Sequence, residues 1–299
     1  MESIYQYYKI SRQAHQKALL REQYLQEKEL LYINLMQEIR QMHPGMGLRK
    51  MYAQFQPEGI GRDAFIALGL AEGFRLRAFR NPSRTTWRDK KTAFPNLLAD
   101  QKFTDVNQIW TSDITYFSLE GKFYYIVLIM DVYSRKIVGY SVANHMRVSN
   151  NMTALEKAIK LRGIKNYENK LIHHSDRGSQ YTSLAYVERL ENLGIQISMC
   201  EEVLENAHIE RANGIIKNEY LQYWEIKNEA QLKKMLQRAV ENYNNRLHQG
   251  IEGKTPNQFE EDLAKIPKAK RVELKIFTYQ KDSRNNPNQI GIFQHINNG

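Results

Sequence analysis

The chain has 299 residues, 42% of them hydrophobic, enough to build a substantial core without staples. A single cysteine excludes an internal disulfide and any multi-cysteine zinc module, and no stretch approaches the roughly 18 unbroken apolar residues of a membrane span. Lys plus Arg number 43 against 33 Asp plus Glu, a formal charge of +10 that favours a polyanionic partner without naming it. The amino terminus carries no apolar core of signal-peptide type, so an unexported protein in a reducing compartment is expected.

In chain order, Leu20, Tyr24, Leu31, Leu35, Ile39 and Met42 recur at three-, four- and seven-residue intervals and predict a helix from about Ser11 to Met42. "HPGMG" breaks it, "QPEGIG" breaks the next short helix, and "RDAFIALGLAEGF" is a third helical piece. Short helices with tight turns and many arginines suit a basic helix-turn-helix-like unit, residues 43–80, after a helical segment 1–42. Residues 81–104 hold two prolines, many basic side chains and no period, and read as a linker.

A second region, 105–262, opens with three strand-like runs, "QIWTSDITYF", "FYYIVLIMDV" and "KIVGYSVAN", whose short links demand antiparallel hairpins. Helical and strand patterns then alternate: "NNMTALEKAIKLRG", the strand "KLIHHS", "SLAYVERLENLG", the strand "IQISM", and helices over 206–220 and 229–243. The order predicts an α/β fold, a mixed five-stranded sheet flanked by helices. The tail, 263–299, is basic and polar with one strand-like piece, "RVELKIFTY".

Metal-assisted phosphoryl transfer needs carboxylates converging on one point. Asp113 lies within the first strand on the face opposite Ser112 and Ile114; Asp176 ends the fourth strand, which in a mixed sheet can pair beside the first. At about 100° per residue the helix "LENAHIERANGIIKNEYL" buries Ile209, Ala212, Ile216 and Tyr220 and aligns Glu210, Asn213 and Lys217 on an adjacent ridge. Glu219 then points to solvent, and Glu205 precedes a cap at Asn206. Asp131, in a hairpin turn, is expected to bond backbone amides or the adjacent Arg135. Of His173 and His174, successive strand residues facing opposite ways, at most one can reach such a site, and packing is the expected role of both.

The motifs "WTSDITYF", "YIVLIMDVYSRKIVGYSV", "HHSDRGSQYTS", "ENAHIERANGIIKNEYL" and "YNNRLHQGIEGKTPNQF", in this order, resemble the integrase-type transposases of bacterial insertion sequences, most closely the second-reading-frame product of the insertion sequence three family. The resemblance implies a ribonuclease-H-like catalytic core preceded by an all-helical DNA-binding region, and an Asp113, Asp176, Glu210 triad that is catalytic and binds two magnesium or manganese ions. It implies nicking at element ends to free a 3′ hydroxyl and strand transfer into another DNA. Implied partners are double-stranded DNA (terminal inverted repeats and target), at least two protomers on that DNA, and an upstream-frame protein, with no membrane, in a cytoplasmic, nucleoid-associated setting. Arg177, Arg211, Asn213, Lys217, Asn245 and Arg246 are candidate DNA contacts near the site, with Arg49, Lys50 and Arg62 in the helical region. Glu201 and Glu202 depart from the family's basic residues and glycine. A non-catalytic DNA-binding regulator and a ribonuclease-H-like metal nuclease remain open alternatives.

Overall fold

The computed structural model describes residues 5, 7, 9–77, 94–98, 101–164, 171–200 and 206–274. The departures at Glu201 and Glu202, the end of the basic region at Arg80, most of the linker and the tail beyond residue 274 lie outside the described residues. The chain divides into two compact units that do not follow sequence order: Met1–Thr85 with Phe117–Phe123 and Ala212–Phe259, and Thr86–Tyr116 with Tyr124–Arg211 and Glu260–Gly299.

The five expected strands form: β1 (Ile109–Leu119), β2 (Lys122–Asp131), β3 (Ile137–Ala143), β4 (Ile172–Ser175) and β5 (Gln196–Met199). Between β1 and β2 only Glu120 and Gly121 remain, both at positive φ (49° and 75°), the type I′ geometry that matches strand twist. The sheet order is β3-β2-β1-β4-β5, with β2 antiparallel to β3 and β4 parallel to both β1 and β5. This is the mixed, ribonuclease-H-like sheet. Ile126 through Met130 in β2 are each 0% exposed, so the strand is covered on both faces and reads as an unbroken apolar run.

Helices α4 (Val148–Arg162) and α5 (Leu184–Glu191) supply the connections to β4 and β5. Trp110, Val127, Ile129, Leu155, Leu171, Tyr181 and Tyr186 share one core cluster, while Ile109, Val132 and Ile172 belong to another with Leu98 and Phe103. Strand alternation explains the split, since neighbours such as Ile109 and Trp110 point to opposite faces. Gly139 on β3 lets α4 approach, because a β-carbon there would overlap the backbone carbonyl oxygen of Ala154.

The described residues of the segment 81–104 pack against the sheet unit. Leu98 and Phe103 are 2% and 3% exposed, Leu97 N–H donates to Ser198 Oγ (2.9 Å), and Phe103 pairs with Leu274 in an isolated antiparallel bridge. Few apolar anchors spaced irregularly among prolines and charges carry no period, which is why this segment looked unstructured.

In the helical unit, α1 (Arg12–Met42) is capped by Ser11, whose Oγ accepts from Ala14 N–H at 3.1 Å. Only its carboxyl-terminal half is anchored: Tyr32, Met36 and Ile39 are buried, and the last two share a core with Met46, Leu48 and Met51 from α2 (Leu48–Phe55) and Phe65 from α3 (Arg62–Ala71). Helix α6 (Ala207–Ile215) runs on into a π-helical turn, Ile216–Leu221, followed by α7 (Glu229–Asn244) and α8 (Pro256–Lys265). The "HPGMG" break is a docking turn against that π segment. Gly45 N–H donates to Glu219 O at 2.8 Å, and a β-carbon at Gly45 would lie 2.6 Å from the same oxygen. Arg238 and Asn242 of α7 donate to the carbonyls of Gln41 and Met42. These bonds place residues 212–259 with the amino-terminal helices, whereas the sequence pattern drew one contiguous region over 105–262.

Candidate active site

Parallel pairing of β1 with β4 runs Ile109↔Ile172, Trp110↔His173, Thr111↔His174 and Ser112↔Ser175. The next residue on each chain is Asp113 and Asp176, so the two aspartates leave the paired segment level with one another, both half-buried. Asp176 also organises its own turn. Its Oδ1 accepts from Gly178 N–H (3.1 Å), Tyr181 N–H donates to Gly178 O (3.0 Å), and Arg177 Nε donates to Cys200 O (2.9 Å).

Tyr181 links the aspartates electrostatically. Its buried hydroxyl shares a 2.9 Å hydrogen bond with Ser112 Oγ, and its pKa is held well above the ordinary phenol value, first by burial and then by the charges of Asp176, Tyr186 and Asp113. Both carboxylates therefore act on one hydroxyl.

The helix carrying Glu210 comes to the same strand. Asn206 Nδ2 donates to Ser112 O at 3.4 Å, and Glu210 stands one helical turn beyond, on the same helix face and exposed. Ile209, Ala212, Ile216 and Tyr220 are buried as the periodicity requires. Among the described residues, no group of three His, Cys, Asp or Glu side chains is gathered so as to hold a metal ion. As a donor set, Asp113, Asp176 and Glu210 offer the hard carboxylate oxygens that magnesium and manganese take.

Several expected positions change. Asn213 is 4% exposed and Arg246 3%, so neither presents its polar head to a solvent-side phosphate. Arg246 donates to Glu219 Oε2 (2.7 Å), and Lys50 reaches Glu219 Oε1 (3.0 Å). Glu219 is thus a half-buried anchor rather than a solvated carboxylate, and it lies in the π-turn Ile216–Leu221 rather than in regular α-helix. Arg49, Lys50, Arg62, Arg211 and Asn245 are exposed, with Arg62 paired to Asp63 (2.9 Å); Arg177 and Lys217 are half-buried.

Asp131 has the structural role expected, with a different arginine. It accepts from the N–H groups of Asn107 (2.7 Å) and Tyr133 (3.1 Å) and pairs with Arg162 (3.3 Å), which also binds Glu260. Both histidines are packed and hydrogen-bonded: His173 Nε2 with the Tyr186 hydroxyl at 3.0 Å, His174 Nδ1 with Ser198 Oγ at 2.9 Å and its Nε2 with Cys200 Sγ at 3.0 Å. Sequence reasoning assigned no role to Tyr181 or His208, and to Asn206 only that of a helix cap. Burial, and then the charges of Arg135 and Arg211, lower His208 to about 4, so it stands as a neutral ring two positions before Glu210. A histidine and an asparagine around the start of that helix, within a motif already singled out, were the available signal.

The integrase core domain family matches residues 104–202, and a second integrase core family matches 193–256. A transposase of insertion sequence element IS986/IS6110 from Mycobacterium tuberculosis is 36% identical over 188 residues, 58% of this chain and 66% of that protein. The transposase of element IS629 from Shigella sonnei is 32% identical over 223 residues, covering 72% and 73% of the two chains. A 31 kDa protein of insertion element IS600, also from Shigella sonnei, is 31% identical over 224 residues, 72% of this chain and 81% of the other. Among solved structures, the HTLV-2 integrase catalytic core domain in complex with magnesium superposes with a TM-score of 0.43 at 22% identity, over 57% of this chain and 99% of that one. With its sheet order, its motifs and its alignment across most of the Shigella relatives, the chain belongs to the insertion-sequence transposases of the integrase superfamily.

Proposed function

We propose that the protein is the catalytic transposase of an insertion sequence, nicking element ends to free a 3′ hydroxyl and joining that hydroxyl to another DNA phosphodiester. The single observation that carries the reading is the β1–β4 register, which sets Asp113 level with Asp176 inside the span matched by the integrase core family. Asp113, Asp176 and Glu210 would hold two divalent ions, magnesium or manganese. Such a pair supplies Lewis-acid stabilisation of the attacking and leaving oxygens. The chain's own part is to aim its carboxylates: Gly178 N–H fixes Oδ1 of Asp176, and Asn206 ties the Glu210 helix to the carbonyl that precedes Asp113.

Double-stranded DNA, as element ends and target, is the proposed substrate, met by the exposed side chains Arg49, Lys50, Arg62, Arg211 and Asn245 together with the half-buried Arg177 and Lys217. Arg246 and Asn213 leave that set because they are buried. Bringing two ends together requires at least two protomers if each active site serves one end; an upstream-frame partner and action in the cytoplasm at the nucleoid complete the proposal. No helix among the described residues is long and apolar enough to cross a membrane.

The test is Asp176→Asn, which keeps the turn's acceptor and removes the charge. Strand transfer of a labelled element end in magnesium should fall by about a hundred- to a thousandfold, with DNA retention and thermal unfolding unchanged. Full joining activity in this variant would refute the assignment.

A further inference from the structure

We infer that Ser112 and Tyr181 form a positioning pair that sets the separation of Asp113 and Asp176, and that Ser112 joins the three segments from which the proposed metal ligands project. The inference rests on the metal-site reading above and deepens it.

Ser112 is 0% exposed and stands on the core face of β1 between Trp110 and Ile114, an apolar row where an unbonded hydroxyl would be costly. Three contacts radiate from it. Its side chain bonds the Tyr181 hydroxyl (2.9 Å), its carbonyl accepts from Asn206 (3.4 Å), and its register partner is Ser175. Two of them end next to a proposed ligand, since Asp176 follows Ser175 and Glu210 is one turn beyond Asn206; the third reaches the Asp176 turn through Tyr181, and Asp113 follows Ser112 itself.

Tyr181 is rigid enough to transmit position. It is 1% exposed, its ring packs against His173 and Tyr186 at centroid distances of 6.0 and 5.7 Å, and its N–H closes the turn through Gly178, which in turn binds Asp176. A shift of the hydroxyl therefore moves the Asp176 turn against β1. Groups that orient metal ligands from behind are worth roughly 10- to 100-fold in metal affinity.

The experiment compares Ser112→Ala, Tyr181→Phe and the double variant in the full chain, with Asp176→Asn alongside. Two readouts are taken: the manganese concentration at half-maximal thermal stabilisation of the DNA-free protein, and the metal half-saturation and DNA KM of strand transfer. The expected result is a rise of about tenfold in both metal midpoints for each single variant, an unchanged DNA KM, and a double variant no worse than the weaker single one. Wild-type metal midpoints in both single variants, or additive effects in the double, would overturn the inference. If Ser112→Ala fails to fold, Tyr181→Phe, which removes one oxygen only, decides. Should Asp176→Asn abolish joining while both positioning variants behave as wild type, this inference alone falls; should Asp176→Asn retain joining, the underlying site reading falls with it.

Discussion

Acidification from pH 7 to 5 should destabilise this protein through the paired histidines of β4. His173 and His174 are 1% and 0% exposed, and burial holds both below the ordinary 6.5: His173 at about 3, with the adjacent His174 adding to the effect, and His174 at about 4. In the unfolded chain each titrates near its ordinary value, so between pH 6.5 and about 4 the unfolded state binds protons that the native state refuses. The stability that depends on these rings being neutral is complete above pH 6.5 and drains away below it, at nearly 1.4 kcal/mol per pH unit for each ring. Integrated from pH 7 to 5, the pair removes about 4 kcal/mol, a large share of the roughly 5–15 kcal/mol that domains possess. Asp131 works in the opposite direction. Burial raises it from 3.8 to about 6 against the lowering pull of Arg162, so its protonation below pH 6 returns about 1 kcal/mol by pH 5. Urea denaturation at closely spaced pH values, for wild type and His174→Gln, isolates the histidine contribution as a difference. The variant should lose about half of the pair's slope; a slope identical to wild type, or stability flat over this range, would refute the argument.

Other outcomes follow from single contacts. Gly45→Ala should cost about 2 kcal/mol in urea denaturation, because the added methyl meets the backbone of Glu219 and displaces the 2.8 Å hydrogen bond; a loss below about 0.5 kcal/mol would contradict the docking of this turn. Arg162→Met leaves Asp131 and Glu260 buried without their shared cation and should destabilise by about 3–5 kcal/mol, with partial recovery on adding Asp131→Asn. Arg62→Ala should weaken duplex binding equally for related and unrelated sequences and lower the salt slope by about one, measured by fluorescence anisotropy across salt.

The sheet was legible because its strands are of two readable kinds. β2 is an uninterrupted apolar run, and β1 alternates around a charged residue that no buried strand carries casually. The expected neighbourhood of β1 and β4 followed from the order of elements and needed no side-chain detail. What escaped the sequence were pairings between residues far apart along the chain. Glu219, in the π-turn at Ile216–Leu221, is held by Lys50 and Arg246, partners distant in sequence that helical spacing does not announce. Arg246 looked like a surface cation in "YNNRLHQG", yet Glu219 draws it into the interior. Asp131 bonds backbone amides as its turn position suggests, but it also pairs with Arg162, thirty-one positions away, a partner no local pattern announces.

The location of the candidate site has a simple cause in strand length. β1 spans Ile109–Leu119, but β4 accompanies it only from Ile109 to Ser112 before the chain turns at Asp176. Beyond Ser112, among the described residues, β1 continues with a strand neighbour on its β2 side alone, so the sheet has a step cut into it at the carboxyl end of β4. Crevices at the carboxyl ends of parallel strands are where α/β sheets gather polar chemistry, since backbone and side-chain groups there are not consumed by the ladder. Asp113 is the first β1 residue past the step and Asp176 the first residue after β4, while Asn206 brings the Glu210 helix to the carbonyl at its corner. An extension of β4 pairing by two residues would close this step and commit the backbone at both aspartates to the ladder. "IHHSD" ends where it does because the chain turns at once, Asp176 Oδ1 accepting from Gly178 N–H two residues on.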